Sequence, residues 1–515
     1  MKEKQHQPHK LIVHTNGKSL EEINGTVSVP KDGKFFKTLL AYSGPGALVA
    51  VGYMDPGNWS TSITGGQNFQ YLLISVILIS SLIAMLLQYM SSKLGIVSQM
   101  DLAQAIRART SRALGIVLWI LTELAIMATD IAEVIGAAIA LYLLFNIPLI
   151  LAVFITVFDV LLLLLLTRIG FRKIEALVIC LILVILAVFV YQVALSNPDW
   201  SGILSGFIPQ VRTFSSSPKI AGMTPLSGAL GIIGATVMPH NLYLHSSISQ
   251  SRKINHRDPK DVARAVRFST WDSNIQLTIA FVVNALLLIM GVAVFKTGVI
   301  DDPSFFGLYD ALSTPAVLSN GILAEVAKTG ALSTLFAVAL LASGQNSTIT
   351  GTLTGQIIME GFIHMRMPMW ARRLITRLLS VIPVLICVTM TRGLSITKQH
   401  EAINNLMNNS QVFLAFALPF SIVPLLMLTN SKSDMGTFKN NWIIQVLGWL
   451  SVVALTYLNL MGLPDQIKNF FPDQMENVAN FLSGGLIFLV LALLLWTIIE
   501  LYRGNKKISL MEQVL

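Results

Sequence analysis

Apolar residues along this chain gather into runs separated by short polar connections. Twelve runs are long enough to cross a membrane: 38–67, 71–94, 113–142, 147–167, 174–196, 225–249, 270–296, 330–362, 373–391, 403–429, 440–462 and 481–502. A helix rises about 1.5 Å per residue, so about 20 apolar residues cover a hydrocarbon core of about 30 Å. Two runs are interrupted. Asp55-Pro56-Gly57-Asn58 falls inside the first, and Met238-Pro239-His240-Asn241 inside the sixth. Proline removes a backbone donor and clashes with the preceding turn, and glycine weakens the helix further. Hydrocarbon holds no water to satisfy the freed groups, so such a break is tolerated only where protein or a wet cavity receives them. Both breaks also carry side chains that bind metals: a carboxylate, amides, a thioether and an imidazole. The two interruptions therefore read as a site.

Composition places the chain in its class. It has 515 residues, of which 54% are hydrophobic and 12% charged, against about 25% charged in soluble proteins. The fold class expected is an all-α polytopic membrane protein with about twelve transmembrane helices. With the N-terminus in the cytoplasm, 29 of the 36 lysines and arginines fall on the inner side, as the positive-inside rule requires. That bias accounts for the net charge of +9 and calls for anionic lipid as neighbour rather than nucleic acid. Cys180 and Cys387 both lie in apolar runs and imply no disulfide framework. Residues 1–37 are polar, without the apolar core of a cleavable signal, and read as a flexible cytoplasmic tail. The connections leave no room for a soluble catalytic domain, so neither an enzyme nor a bound cofactor is expected, and no obligatory protein partner is evident.

The position of the breaks predicts the organisation. They occupy the first span of two five-span units, residues 38–196 and 225–429. An odd number of spans per unit inserts the second unit from the opposite face, the inverted-repeat arrangement whose substrate site lies at the midplane between broken helices. Residues 440–502 add spans 11 and 12, and 503–515 form a C-terminal cytoplasmic tail.

Asp55 and Asn58 are three residues apart and can face one cavity as the helix resumes, with Met238 opposite. The unwound turns also free carbonyls, and Gly52 and Ala235 each lie three residues before a side-chain candidate. Mg²⁺ and Ca²⁺ prefer all-oxygen shells, whereas sulfur favours later or softer transition metals. A mixed site should accept Mn²⁺, Fe²⁺, Co²⁺ or Cd²⁺ and disfavour Mg²⁺ and Ca²⁺. The bland reading is a structural polar plug beside a core methionine.

These motifs resemble the signature of the natural resistance-associated macrophage protein family of proton-coupled divalent-metal transporters. The resemblance extends over spans 1–10 and includes Gln345-Asn346-Ser347-Thr348-Ile349-Thr350-Gly351-Thr352 in span 8 and Asn408-Asn409-Ser410-Gln411 in span 10. It implies a LeuT-like 5+5 inverted repeat with discontinuous helices 1 and 6. It also implies that Asp55, Asn58 and Met238 coordinate the metal, that the carbonyls of Gly52 and Ala235 assist, and that Gln411 approaches the metal in some conformations.

For the proton, span 3 holds Glu123, Asp130 and Glu133 on roughly one helical face. Carboxylates in an apolar span are costly unless paired or wet. Candidate partners are Arg372, Arg373 and Arg377 in span 9, where the family is similar and forms a polar network toward the cytoplasm. A charge-paired helix contact without proton traffic is the alternative for Asp130 and Glu133, and snorkelling for Glu123. His240 and His245 titrate near neutrality when unperturbed and either join the proton pathway or pack in a wet cavity. Gln88 in span 2 lines the same cavity or hydrogen-bonds between helices. The expected function is proton-coupled import of Mn²⁺ and related metals across the cell membrane by alternating access. The rival readings are a LeuT-fold carrier of another substrate such as an amino acid, and a receptor that binds metal without moving it.

Overall fold

The apolar runs become helices, and the two motif prolines become the places where helices stop and restart. The computed structural model describes residues 20–514 except 31–32, 160–170, 196–197, 221, 296–301, 303, 315–324, 326–327 and 469–475. After a short helix α1 (Phe35–Tyr42), the first span is divided into α2 (Pro45–Val51) and α3 (Pro56–Phe69). Then come α4 (Ile74–Ser98), α5 (Arg112–Phe145), α6 (Leu149–Thr156) and α7 (Phe171–Leu195). The sixth span is divided likewise, into α8 (Pro225–Thr236) and α9 (Pro239–Ile248). The later long helices are α10 (Pro259–Phe295), α11 (Ala331–Ile363), α12 (Met369–Met390), α13 (Ile396–Ala417), α14 (Pro419–Thr429), α15 (Trp442–Lys468) and α16 (Glu476–Val514), and short helices at Leu102–Arg107, Trp200–Gly206, Phe305–Ser313 and Lys432–Met435 lie in the connections. Among the described residues, eight helical stretches are long and apolar enough to cross a membrane by length and composition. The end of the fourth run, beyond Asp159, lies outside the described residues.

Two boundaries move outward from the apolar runs. α10 begins at Pro259, well before residue 270, and α16 continues through 503–514, the stretch read as a tail. Charged helix ends project past the hydrocarbon without ceasing to be helix, and hydropathy does not register them. The N-terminal arm is also tied down in part. Gly25 and Val27 donate to the Gln250 and Ser251 carbonyls (both 3.0 Å), and Lys253 returns a bond to the Val27 carbonyl (2.8 Å). Val29 packs into a small apolar cluster with Tyr42, Ile96 and Val262.

Helix packing sorts into two groups. α5 lies along α11 and α12, while α10 packs against α2, α3 and α4, and α8 and α9 join them through α3 and α4. α13 bridges the groups, touching α3, α5 and α8. The broken helices sit at the junction. Asp55 and Met238 are both 0% exposed, so the site lies in the middle of the protein.

Candidate metal site and ion network

Backbone accounting at the first break identifies which carbonyls are taken. Asn284 donates to the Tyr53 carbonyl (2.8 Å), and Trp59 (2.9 Å) and Ser343 (2.6 Å) both donate to that of Met54. Gly52 differs: four residues on stands Pro56, which has no N–H to give. The second break repeats the arrangement, with Pro239 four residues after Ala235. The two carbonyls expected to face a metal are thus two whose α-helical partner, four residues on, is replaced by a proline. Each also lies at the C-terminal end of a half-helix, α2 or α8, where the helix dipole favours a cation.

Side chains complete the site. Asp55 caps α3, its Oδ1 accepting from the Asn58 backbone N–H (2.8 Å), while its Oδ2 is buried without a hydrogen-bond partner. Asn58 Oδ1 and Gln411 Oε1 are likewise buried and unpartnered. Gln411 lies against Gly57, where a Cβ would overlap its amide. Met238, in extended conformation, caps α9 without accepting a bond from the helix backbone, and its sulfur accepts from Asn241 Nδ2 (3.6 Å). Buried polar atoms are almost always paired, so unpartnered oxygens on Asp55, Asn58 and Gln411 around two helix breaks fit a cation as cargo.

His240, adjoining Met238, is 3% exposed with Nδ1 unpartnered. His245 is set apart from it. Its Nδ1 meets Gln88 Oε1 (3.0 Å), and Gln88 Nε2 donates to the Tyr53 hydroxyl (2.8 Å). Gln88 therefore joins α4 to α9 and to the first break by hydrogen bonds.

A second polar centre lies between α5, α11 and α12. Arg373 donates to Asp130 (2.5 Å) and to Glu133 (2.9 Å). Arg377 donates through Nε to Asp159 (2.8 Å) and lies 3.5 Å from Glu133. Ser347 (2.5 Å) and Thr348 (3.2 Å) donate to Glu133. Glu123 pairs with Arg372 toward one end, at the edge of the protein interior. All three arginines thus meet span-3 carboxylates. Asp159, which sequence reasoning passed over, is the third acidic member of the inner cluster. Its signal was present, a lone carboxylate in the apolar run 147–167, which the same cost rule marks as paired or wet. Two contacts link this cluster to the first break. Gly136, one turn beyond Glu133, lies against the Pro56 ring. Ser343, which holds the Met54 carbonyl, is one turn before Ser347 on α11.

Comparison with known proteins agrees with the motifs. The family described as Natural resistance-associated macrophage protein-like matches residues 46–464. The divalent metal cation transporter MntH of Latilactobacillus sakei is 54% identical over 455 residues, covering 88% of this chain and 96% of that protein. The MntH of Pediococcus pentosaceus is 56% identical over 445 residues, with 86% and 96% covered. The crystal structure of the Eremococcus coleocola manganese transporter, solved in complex with an aromatic bis-isothiourea substituted compound, superposes with a TM-score of 0.89 at 68% identity, covering 94% of this chain and 99% of that one. Mhp1 in its inward-facing conformation, at 13% identity and a TM-score of 0.51, shares the fold. With family motifs, helix breaks and whole-chain similarity in agreement, this chain belongs to the natural resistance-associated macrophage protein family.

Proposed function

We propose that the chain is a divalent metal cation transporter of the cell membrane, a proton-coupled symporter that imports Mn²⁺ and also takes Fe²⁺, Co²⁺ and Cd²⁺. One observation carries the reading: unpartnered buried oxygens of Asp55 and Asn58 and the Met238 sulfur stand at paired helix breaks. The names of its relatives, divalent metal cation transporter and manganese transporter, support it. Sulfur in the donor set discriminates against Mg²⁺ and Ca²⁺. Metal and proton compete for the Asp55 carboxylate, since a nearby cation stabilises its charged form. The displaced proton passes toward Glu133 and Asp130, along the face of α5 that touches the first break. With three carboxylates against two guanidiniums, that cluster has one acidic group beyond its cations, a place for a proton to rest. Both termini lie in the cytoplasm, and an inside-negative potential favours entry by about 2.3 kcal/mol per charge per 100 mV. An amino-acid substrate fits less well, because the α3 N-terminus that would receive its carboxylate is already capped by Asp55.

Reconstitution into proteoliposomes with an internal pH dye tests this. Mn²⁺ added outside should enter and acidify the lumen, and Asp55→Ala should abolish both signals. Entry without acidification would leave a uniporter, and unimpaired uptake by Asp55→Ala would refute the site.

A further inference from the structure

Asn241 stands in the second break and has no role in the donor set above. It is 0% exposed. Its Nδ2 donates to Met238 Sδ at 3.6 Å, one helical turn back, and its Oδ1 is buried without a partner. On its other side the carboxamide lies against Gly52, so closely that a Cβ there would overlap it. One side chain therefore touches the sulfur of the second break and the backbone of the first.

We propose that Asn241 is a positioning residue that sets metal selectivity: its N–H holds the Met238 thioether in the orientation that presents sulfur to the metal, and its seat on Gly52 keeps the two breaks in register. The inference rests on reading Asp55, Asn58 and Met238 as the metal site. Methionine has three rotatable side-chain bonds and a sulfur of low polarity, so packing alone leaves its donor lone pair poorly aimed. A hydrogen bond to one lone pair restrains the terminal torsions and leaves the other free. The donor must also be neutral, since a lysine or arginine here would repel a divalent cation. Aspartate would supply no N–H, and serine is too short to reach the sulfur from this Cα. Among ordinary side chains, asparagine meets the requirements of length, neutrality and a donor.

The consequence concerns soft ions most, because they depend most on sulfur. In proteoliposomes holding the full chain, Asn241→Leu, similar in shape but without a donor, should raise the KM for Cd²⁺ more than that for Mn²⁺. The ratio of the two should change by about three- to tenfold, the span of one modest hydrogen bond. Asn241→Ala, which removes the donor without adding bulk at the break, should shift the ratio the same way, and it serves if Asn241→Leu does not fold. The decisive arm is the double variant. In a Met238→Ala background Asn241→Leu should leave the Cd²⁺-to-Mn²⁺ ratio unchanged, because the sulfur through which it acts is gone. A ratio that moves equally in both backgrounds, or that does not move in the single variant while uptake of both metals falls together, overturns the inference and leaves Asn241 a packing amide. If Met238→Ala alone leaves the ratio unaltered, the site reading itself fails.

Discussion

Two prolines decide which carbonyls can serve as the proposed backbone ligands. Pro56 and Pro239 each strip a carbonyl, that of Gly52 or Ala235, of its helical N–H, while neighbouring carbonyls at the first break are answered by Asn284, Trp59 and Ser343. Protein groups thus answer the carbonyls of Tyr53 and Met54, beside the small donor set proposed for the metal. Within it, Met238 is the one soft atom. Met238→Ala should retain Mn²⁺ uptake while admitting Ca²⁺ or Mg²⁺ better than the native protein, measured by competition of each ion against Mn²⁺ in proteoliposomes. Unchanged discrimination would remove sulfur as the filter. These residues were legible in the chain because a polar group inside an apolar run stands out. Asn241 stood in the same motif, but its bond to Met238 and its contact with Gly52 are set by packing.

Among the elements, α5, α11 and α12 meet along a buried seam of charge. Arg373 and Arg377 are each 1% exposed or less, and breaking one partner of a buried ion pair costs about 3–5 kcal/mol. Asp159→Ala should therefore lower the Tm of the purified protein well below that of Asp159→Asn, which keeps an acceptor for Arg377. Equal melting of the Ala variant and the native protein would show that the pair contributes nothing. Spacing along α5 made its three carboxylates visible as one face, and the arginines of α12 were visible as a cluster. That Ser347 and Thr348 of α11 complete the coordination of Glu133 was not visible, because a serine or threonine in a helix often bonds its own backbone. The ends of α10 and α16 were missed for a different reason: helix continues into water wherever its polar residues tolerate it.

At the scale of the molecule, packing differs between the two ends. On the side bearing the N-terminal arm, Glu175 of α7 accepts from Arg252 (2.7 Å) and Arg172 (2.8 Å), and Arg252 also donates to the Ser43 carbonyl (2.6 Å). Asp272 of α10 accepts from the Gly46 N–H (2.8 Å) at the start of α2. Gly44, at φ +136°, permits this approach, since a Cβ there would run into Glu175. On the opposite side a cavity of about 320 Å³ opens between α3, α8, α13 and α15, lined by Thr61, Ser227, Asn405, Asn408 and Gln466. The proposed transport by alternating access requires the first end to open. Glu175→Ala should loosen it, read as faster thiol labelling of an Ala47→Cys reporter in a chain lacking Cys180 and Cys387. Ala47 is 0% exposed in this structure. A labelling rate unaffected by Glu175→Ala would show that the cluster does not hold this end shut.

By itself the sequence determined the class of the protein, the approximate places of its apolar spans, the two breaks and the chemical type of the side chains they carry. Each follows from local facts: hydropathy over about 20 residues, the missing N–H of proline and the hardness of an oxygen or sulfur. Tertiary structure alone decided which spans meet. It brought Asp159 to Arg377, Gln88 to His245, and Asn241 to Gly52. It also laid part of the N-terminal arm, read as flexible, along residues 250–253. The physical reason is that cost and remedy are recorded differently. The cost of burying a polar group belongs to one residue and its neighbours in the chain, whereas the partner that offsets it sits far away in sequence and is chosen by packing.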